Sequence, residues 1–184
     1  MKGKRIPKVV LAAASLAVLG GIALAAQDRY TLRIPNGLAF SEFKGYDTWQ
    51  DVAVSATETS VKAILANPEM INAYKEGIPG NGKPFPEGVK IVKIEWLKER
   101  SSVSPYFVEI PKTLRTVSFI VKDSKRFPTT HGWAYAQFEY DPATDTFKPS
   151  TLLGTLSSTG HECGYACHTV VAKDDYIFTA YPNR

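Results

Sequence analysis

Val89-Lys90-Ile91-Val92-Lys93-Ile94-Glu95-Trp96 alternates with a period of two. Side chains along a strand point to opposite faces in turn, so Val92, Ile94 and Trp96 share one face and Ile91, Lys93 and Glu95 the other. Working outward, Tyr106 to Ile110 and Thr116 to Lys122 are β-like, the second with Val117, Phe119 and Val121 on one face. Trp133 to Tyr140 is a further strand, ended by the turn Asp141-Pro142-Ala143-Thr144-Asp145. Upstream, Val61 to Ala66 reads as a strand, and Tyr46 to Val54 as a short helix running into one. Asn67-Pro68-Glu69 is a helix start: Asn caps, Pro suits the first turn and Glu favours the positive end of the dipole. Met70, Ile71 and Tyr74 give helical apolar spacing, and Gly77 stops the helix. Gly77 to Gly88 holds four Gly and three Pro and reads as a stiff loop. A last strand is expected around Tyr176 to Tyr181. No long amphipathic helix separates the strands, which argues against parallel βαβ units. The expected fold is α+β: one domain with a mainly antiparallel β-sheet and a few packed helices.

The chain has 184 residues, 44% of them hydrophobic and 22% charged, an ordinary globular composition. Its formal charge of +4 is concentrated at one end. Lys2, Lys4, Arg5 and Lys8 account for four of the 22 basic residues, leaving 18 against 18 acidic ones. The body of the chain is therefore formally neutral, which removes the electrostatic argument for a nucleic-acid or anionic-membrane partner. Behind the basic head, Val9 to Ala26 is apolar apart from Ser15, and Ala23-Leu24-Ala25 is a small-x-small site before the polar Gln27. This is the layout of a secretory signal peptide over residues 1–26, cut after Ala25 or Ala26. A retained anchor is the alternative, since the apolar run of 18 reaches the spanning threshold. The alanine-rich composition and the Gly20-Gly21 pair favour cleavage. The remaining domain, 27–184, is large enough to bury roughly two-thirds of its unfolded surface. It needs no disulfide or metal to fold, so its two cysteines require another explanation.

Those cysteines stand in Cys163-Gly164-Tyr165-Ala166-Cys167-His168. Two cysteines followed at once by His follow the logic of c-type haem attachment, in which thiols add to haem vinyl groups and the adjacent His ligates iron. The usual signature has two residues between the cysteines; here there are three, with Gly164 and Ala166 easing the extra residue. A Cys163–Cys167 disulfide in an exported binding domain is the first alternative, though so short a loop stabilises little. A zinc site is the second, with His168 poorly placed to share a metal with Cys167. For a sixth iron ligand the chain offers Met70, His131 and His161, each read more simply as an ordinary core or loop residue. An open distal position is the expectation, suited to binding or transforming a small molecule.

The segment from Cys163 to His168, followed by Asp174-Asp175-Tyr176-Ile177-Phe178-Thr179, resembles the end of the cytochrome P-460 family. Tyr46-Asp47-Thr48-Trp49 resembles the family's Tyr-x-x-Trp. Phe85-Pro86-Glu87-Gly88 with Val92-Lys93 resembles its loop-and-strand motif, and Lys122 to Phe127 with Gly132-Trp133-Ala134 its central motif. The resemblance implies an exported, periplasmic protein of antiparallel β structure with covalently attached haem c. It implies iron held by His168 and porphyrin held by Cys163 and Cys167. In the hydroxylamine-oxidising members a Lys side chain is bonded to the porphyrin edge, and Lys93 matches that position. A relative, the β-sheet cytochrome c-prime, lacks the crosslink and binds nitric oxide under a hydrophobic cap. The implied partners are a small nitrogen-oxide substrate or ligand and a soluble electron acceptor such as a small cytochrome. No membrane partner is implied after signal cleavage, and a homodimer is compatible.

Read from its strand alone, Lys93 is a solvated lysine or one paired across the sheet. The resemblance moves it to the haem, where it becomes both a cofactor-binding and a catalytic candidate. At the family's distal carboxylate position, register from Lys122 places Ser118. Phe85, Phe119 and Phe138 are candidates for a hydrophobic cap, with core packing the commoner role. Lys62 is read as a surface lysine, and Arg126 and Lys125 as either propionate partners or solvated loop residues.

Overall fold

The computed structural model describes residues 26–34, 37–150 and 162–183. Residues 1–25 of the expected signal peptide and His161 fall outside them. Six strands form one antiparallel sheet in the order in which they occur along the chain. They are β1 (Gln50–Ala56), β2 (Ser60–Ala66), β3 (Lys90–Arg100), β4 (Glu109–Lys122), β5 (Trp133–Asp141) and β6 (Thr146–Pro149). Helix α1 (Pro68–Lys75) sits between β2 and β3, and helix α2 (Glu162–His168) follows the sheet. The α+β, mainly antiparallel architecture is the one expected from the strand periodicity.

Local chemistry explains the elements. The Asn67 side chain accepts from the Met70 N–H at 3.3 Å and so caps α1. It also accepts from the Lys90 N–H at 2.9 Å and donates to the Gly88 carbonyl at 3.0 Å, tying the helix start to β3. Gly77, at φ 86°, ends the helix in a conformation that side chains rarely adopt. The Asp141–Asp145 turn is fixed by the Asp141 carboxylate, which accepts from the Ala143 N–H at 2.9 Å.

The two faces of the sheet bury different cores, as the β3 alternation requires. Val92, Val117, Phe119, Val121 and Phe138 face the N-terminal segment, where Phe40, Phe43 and Tyr46 pack on them. Phe43 stacks on Phe119 with centroids 4.2 Å apart, and Phe40 meets Phe119 edge-on at 5.0 Å. Each fully buried aromatic of this kind contributes about 1.5–3 kcal/mol of burial. Ile64, Ile91, Trp133 and Tyr135 face the other way, against Met70, Ile71 and Tyr74 of α1 and against Ile177.

Three expectations need correction. Tyr106 to Ile110 is not a strand of its own. Only its last two residues lie in β4, which runs on through Pro111 because that residue sits beside a register shift opposite Lys98. Strand β6 was not expected; four residues after a turn give too short a pattern to read. Tyr176 to Tyr181 forms no strand, because the chain reverses through left-handed residues at Asp175 and Tyr176 and then runs across the sheet face.

Candidate functional site

Helix α1 covers only part of the second sheet face. Beyond it, α2 and the segment after it lie over β2–β5 and enclose a cavity of about 590 Å³. That is within the roughly 300–1,000 Å³ of small-molecule and cofactor pockets. The floor is built by alternation: Ile64 on β2, Ile91 and Lys93 on β3, Ser118 and Ile120 on β4, and Tyr135 on β5. Cys167, His168 and Phe178 stand on the opposite wall.

Gly164 sets the height of α2. It is buried, and a Cβ there would collide with the Tyr135 ring, whose Cγ would lie 2.5 Å away. The helix therefore lies directly on β5. Cys167 is an exposed free thiol on the cavity wall, and the Cys163 backbone lies one turn earlier in the same helix. Residues four apart in a helix lie on the same side, which gives the three-residue Cys spacing a physical sense.

His168 closes the helix. Its ring packs on Tyr135 at 4.6 Å and edge-on against Phe178 at 4.8 Å. Its Nδ1 lies 2.5 Å from the Tyr176 carbonyl oxygen. A carbonyl only accepts, so Nδ1 carries the proton and donates. In the neutral ring Nε2 is then left with a free lone pair, the usual arrangement of a metal-binding histidine. Burial pulls the imidazole below its ordinary range and the Lys93 charge adds to this, while the Tyr176 hydrogen bond opposes it.

Lys93 is half-buried in the floor, opposite Ile64 on β2 and Ser118 on β4. Burial lowers its affinity for the proton and the Lys62 charge lowers it further, with Glu95 opposing. Its ammonium makes no hydrogen bond or ion pair to another described residue; Glu95 instead pairs with Lys62 and Arg115. A half-buried amine without a partner among the described residues is the more nucleophilic sort of lysine. Ser118 Oγ donates to Gln137 Oε1 at 3.1 Å.

The cavity fits a flat, largely apolar macrocycle bearing a metal. Val54 and Phe178, both on its wall, are 79% and 56% exposed, an uncovered apolar cradle. The donor set, a neutral imidazole next to a free thiol, suits iron and thioether chemistry. The cavity thus brings together Lys93, Cys167, His168 and Ser118.

Other candidates lie elsewhere. Met70 is fully buried on the inner face of α1, and Phe85 and Phe138 belong to the two cores, so neither phenylalanine caps the cavity. His131 is occupied outside the cavity, with Nδ1 2.6 Å from the Tyr165 hydroxyl and its ring stacked on Tyr176. Lys62 is paired with Glu95 and hydrogen-bonded to Ser60, and Arg126 with Glu42. Sequence reasoning missed Tyr135, Phe178 and the Tyr176 carbonyl. The signal for the last was Asp175, which closes the 3-10 turn Thr169–Asp174 after α2, since Asp tolerates the left-handed conformation.

The cytochrome P460 family model matches residues 43–179, which span the sheet, both helices and every described residue of the cavity except Ala180. No curated protein matches the chain.

Proposed function

The chain belongs to the cytochrome P460 family, whose members carry covalently attached haem c, and on that premise we propose that it oxidises hydroxylamine or a related small nitrogen compound in the periplasm. In this reading His168 Nε2 would hold the iron, and Cys163 and Cys167 would hold the porphyrin as thioethers. Lys93 would be bonded to the porphyrin edge. When bound, the haem supplies an iron that takes electrons from the substrate, and a soluble acceptor such as a small cytochrome receives them.

The observation that carries this reading is Lys93. A lysine ammonium without a partner, in the floor of the cavity that holds His168, costs stability and has no structural use among the described residues. Its lowered proton affinity keeps more of the amine neutral than in an exposed lysine. Tyr135 and Phe178 hold the His168 ring from two sides, and the Tyr176 carbonyl holds its proton.

A second reading, a nitric-oxide-binding protein without the crosslink, has its own support. No carboxylate is among the described residues lining the cavity, and Ser118 offers only a hydroxyl already given to Gln137. Oxidation of hydroxylamine releases protons as electrons leave, and a wall without a base serves that poorly. The ferrous optical spectrum separates the two, taken on protein matured in a periplasm with cytochrome c assembly. A far red-shifted Soret band that Lys93→Arg abolishes, with hydroxylamine-dependent reduction of an acceptor, supports the oxidase. An ordinary high-spin c-type spectrum, unchanged by Lys93→Arg, moves the assignment to nitric oxide binding.

A further inference from the structure

The carbonyl that holds His168 belongs to an improbable piece of backbone. Asp175 and Tyr176 are consecutive non-glycine residues at φ 49° and 65°. Each costs about 1–2 kcal/mol in the left-handed region, and an aromatic residue is rarer there than Asp. Such a turn persists only when its surroundings over-determine it.

The Asp175 side chain supplies that. Its Oδ2 accepts from Lys122 Nζ at 2.6 Å and from the Phe85 N–H at 2.7 Å, and its Oδ1 accepts from Trp133 Nε1 at 3.3 Å. The three donors come from the end of β4, the loop before β3 and the start of β5. The ion pair is nearly dry, with side chains 7% and 13% exposed, and the Lys122 ammonium also lies over the Trp133 ring at 5.2 Å. On the far side of the turn the Tyr176 ring stacks on His131 at 5.1 Å and meets Tyr165 at 5.2 Å. The sheet thus grips one residue of the turn, and the next residue's carbonyl meets His168.

We propose that Asp175 is a positioning residue for the iron ligand: anchored to Lys122, Phe85 and Trp133, it aims the Tyr176 carbonyl at His168 Nδ1 and so sets the tilt and donor strength of the imidazole. This rests on the reading of His168 as the ligand. A carbonyl accepting from Nδ1–H makes the imidazole more basic toward a metal and favours the oxidised state of the site. Releasing the anchor leaves the left-handed turn unsupported, and relaxation of Tyr176 toward ordinary φ withdraws its carbonyl.

The test compares holoprotein of the wild type, Asp175→Ala and Asp175→Asn by reduction midpoint potential and by the ferrous iron–histidine stretch in resonance Raman spectra. Asn keeps an oxygen for the Phe85 N–H and tolerates the left-handed turn, so it serves if Ala does not fold. The expected result is a higher potential and a weaker, broader iron–histidine band in Asp175→Ala, with Asp175→Asn in between. Haem-loaded variants with the wild-type potential and band, however unstable, overturn the role of Asp175. Wild-type protein that acquires no covalent haem in a host with cytochrome c assembly overturns the ligand reading itself, and that is seen before any variant is made.

Discussion

Lys93 and Ser118 stand directly opposite each other on β3 and β4, and both line the cavity. The one cationic floor residue therefore has a neutral hydroxyl as its cross-strand neighbour, and that hydroxyl points its proton along the sheet to Gln137 on β5. A proton leaving a substrate in this cavity meets no described carboxylate on the wall.

Ser118→Asp supplies one. General acid–base groups contribute roughly 10²–10⁴-fold, so on the proposed oxidase reading hydroxylamine-dependent reduction of an acceptor is expected to rise by at least about tenfold. Paired with the new carboxylate, Lys93 holds its proton more tightly, so the gain must be read beside the ferrous spectrum, which reports whether the proposed crosslink has formed. Steady-state turnover of Ser118→Asp beside Ser118→Ala is the measurement. Equal rates in both would show that proton transfer does not limit the reaction.

Gly164 admits no side chain where α2 lies on β5. Gly164→Ala drives a methyl group into Tyr135, and overpacking of that kind costs about 1–3 kcal/mol. The melting temperature is expected to fall by several degrees and covalent haem per chain to fall with it, since α2 carries both cysteines. A variant with wild-type melting and full loading would mean that α2 rides higher on the sheet than described.

Tyr135 presents the opposite case. Its hydroxyl is buried and meets no hydrogen-bond partner among the described residues, and burial holds the phenol well above its ordinary range. Losing an unsatisfied hydroxyl costs nothing and relieves its desolvation, so Tyr135→Phe is expected to leave stability unchanged or raise it by about 1 kcal/mol. Urea unfolding of the holoprotein reads this directly. A loss of stability would place a partner, such as a buried water, on that hydroxyl.

The parts of this fold that were legible in the sequence are those fixed by neighbouring residues. Val92 and Lys93 could be assigned to opposite faces because a strand has a period of two, and Asn67-Pro68 marked α1 because its cap lies next to the helix. The cavity's Cys167 and His168 were legible as a local motif. The Asp175 anchor was not, because its donors stand 53, 90 and 42 residues away and converge only in the folded chain. Tyr176-Ile177-Phe178-Thr179 carries a strand-like composition, and nothing local shows that Tyr176 takes a left-handed φ. Tyr106–Ile110 and Thr116–Lys122 read as separate β-like stretches because the register shift that carries β4 through Pro111, a residue that ordinarily ends a strand, depends on its pairing with β3.

Away from the cavity, Glu42 fastens the N-terminal segment to the sheet layer. It accepts from Arg126 Nη1 at 2.6 Å and Nη2 at 3.3 Å and from the Ala39 N–H at 2.9 Å, while Lys90 Nζ donates to its backbone carbonyl at 2.7 Å. Burial alone would raise its pKa. The Arg126 and Ala39 hydrogen bonds and the Arg126 and Lys90 charges outweigh that and hold the carboxyl below the usual carboxylate range. The unfolded chain therefore binds this proton more readily than the folded one, and stability rises with pH through the interval between the two pKa values. Glu42 contributes fully above the unfolded value of about 4.3, and the contribution is lost as pH falls through the lower folded value. With the Arg126 side chain 43% exposed, solvent screening limits the contribution to about 1 kcal/mol. Glu42→Gln should accordingly unfold at lower urea than the wild type at pH 7, with the gap closing toward pH 3. A gap that stays constant across that range would assign the loss to packing of the Glu42 stem rather than to its charge.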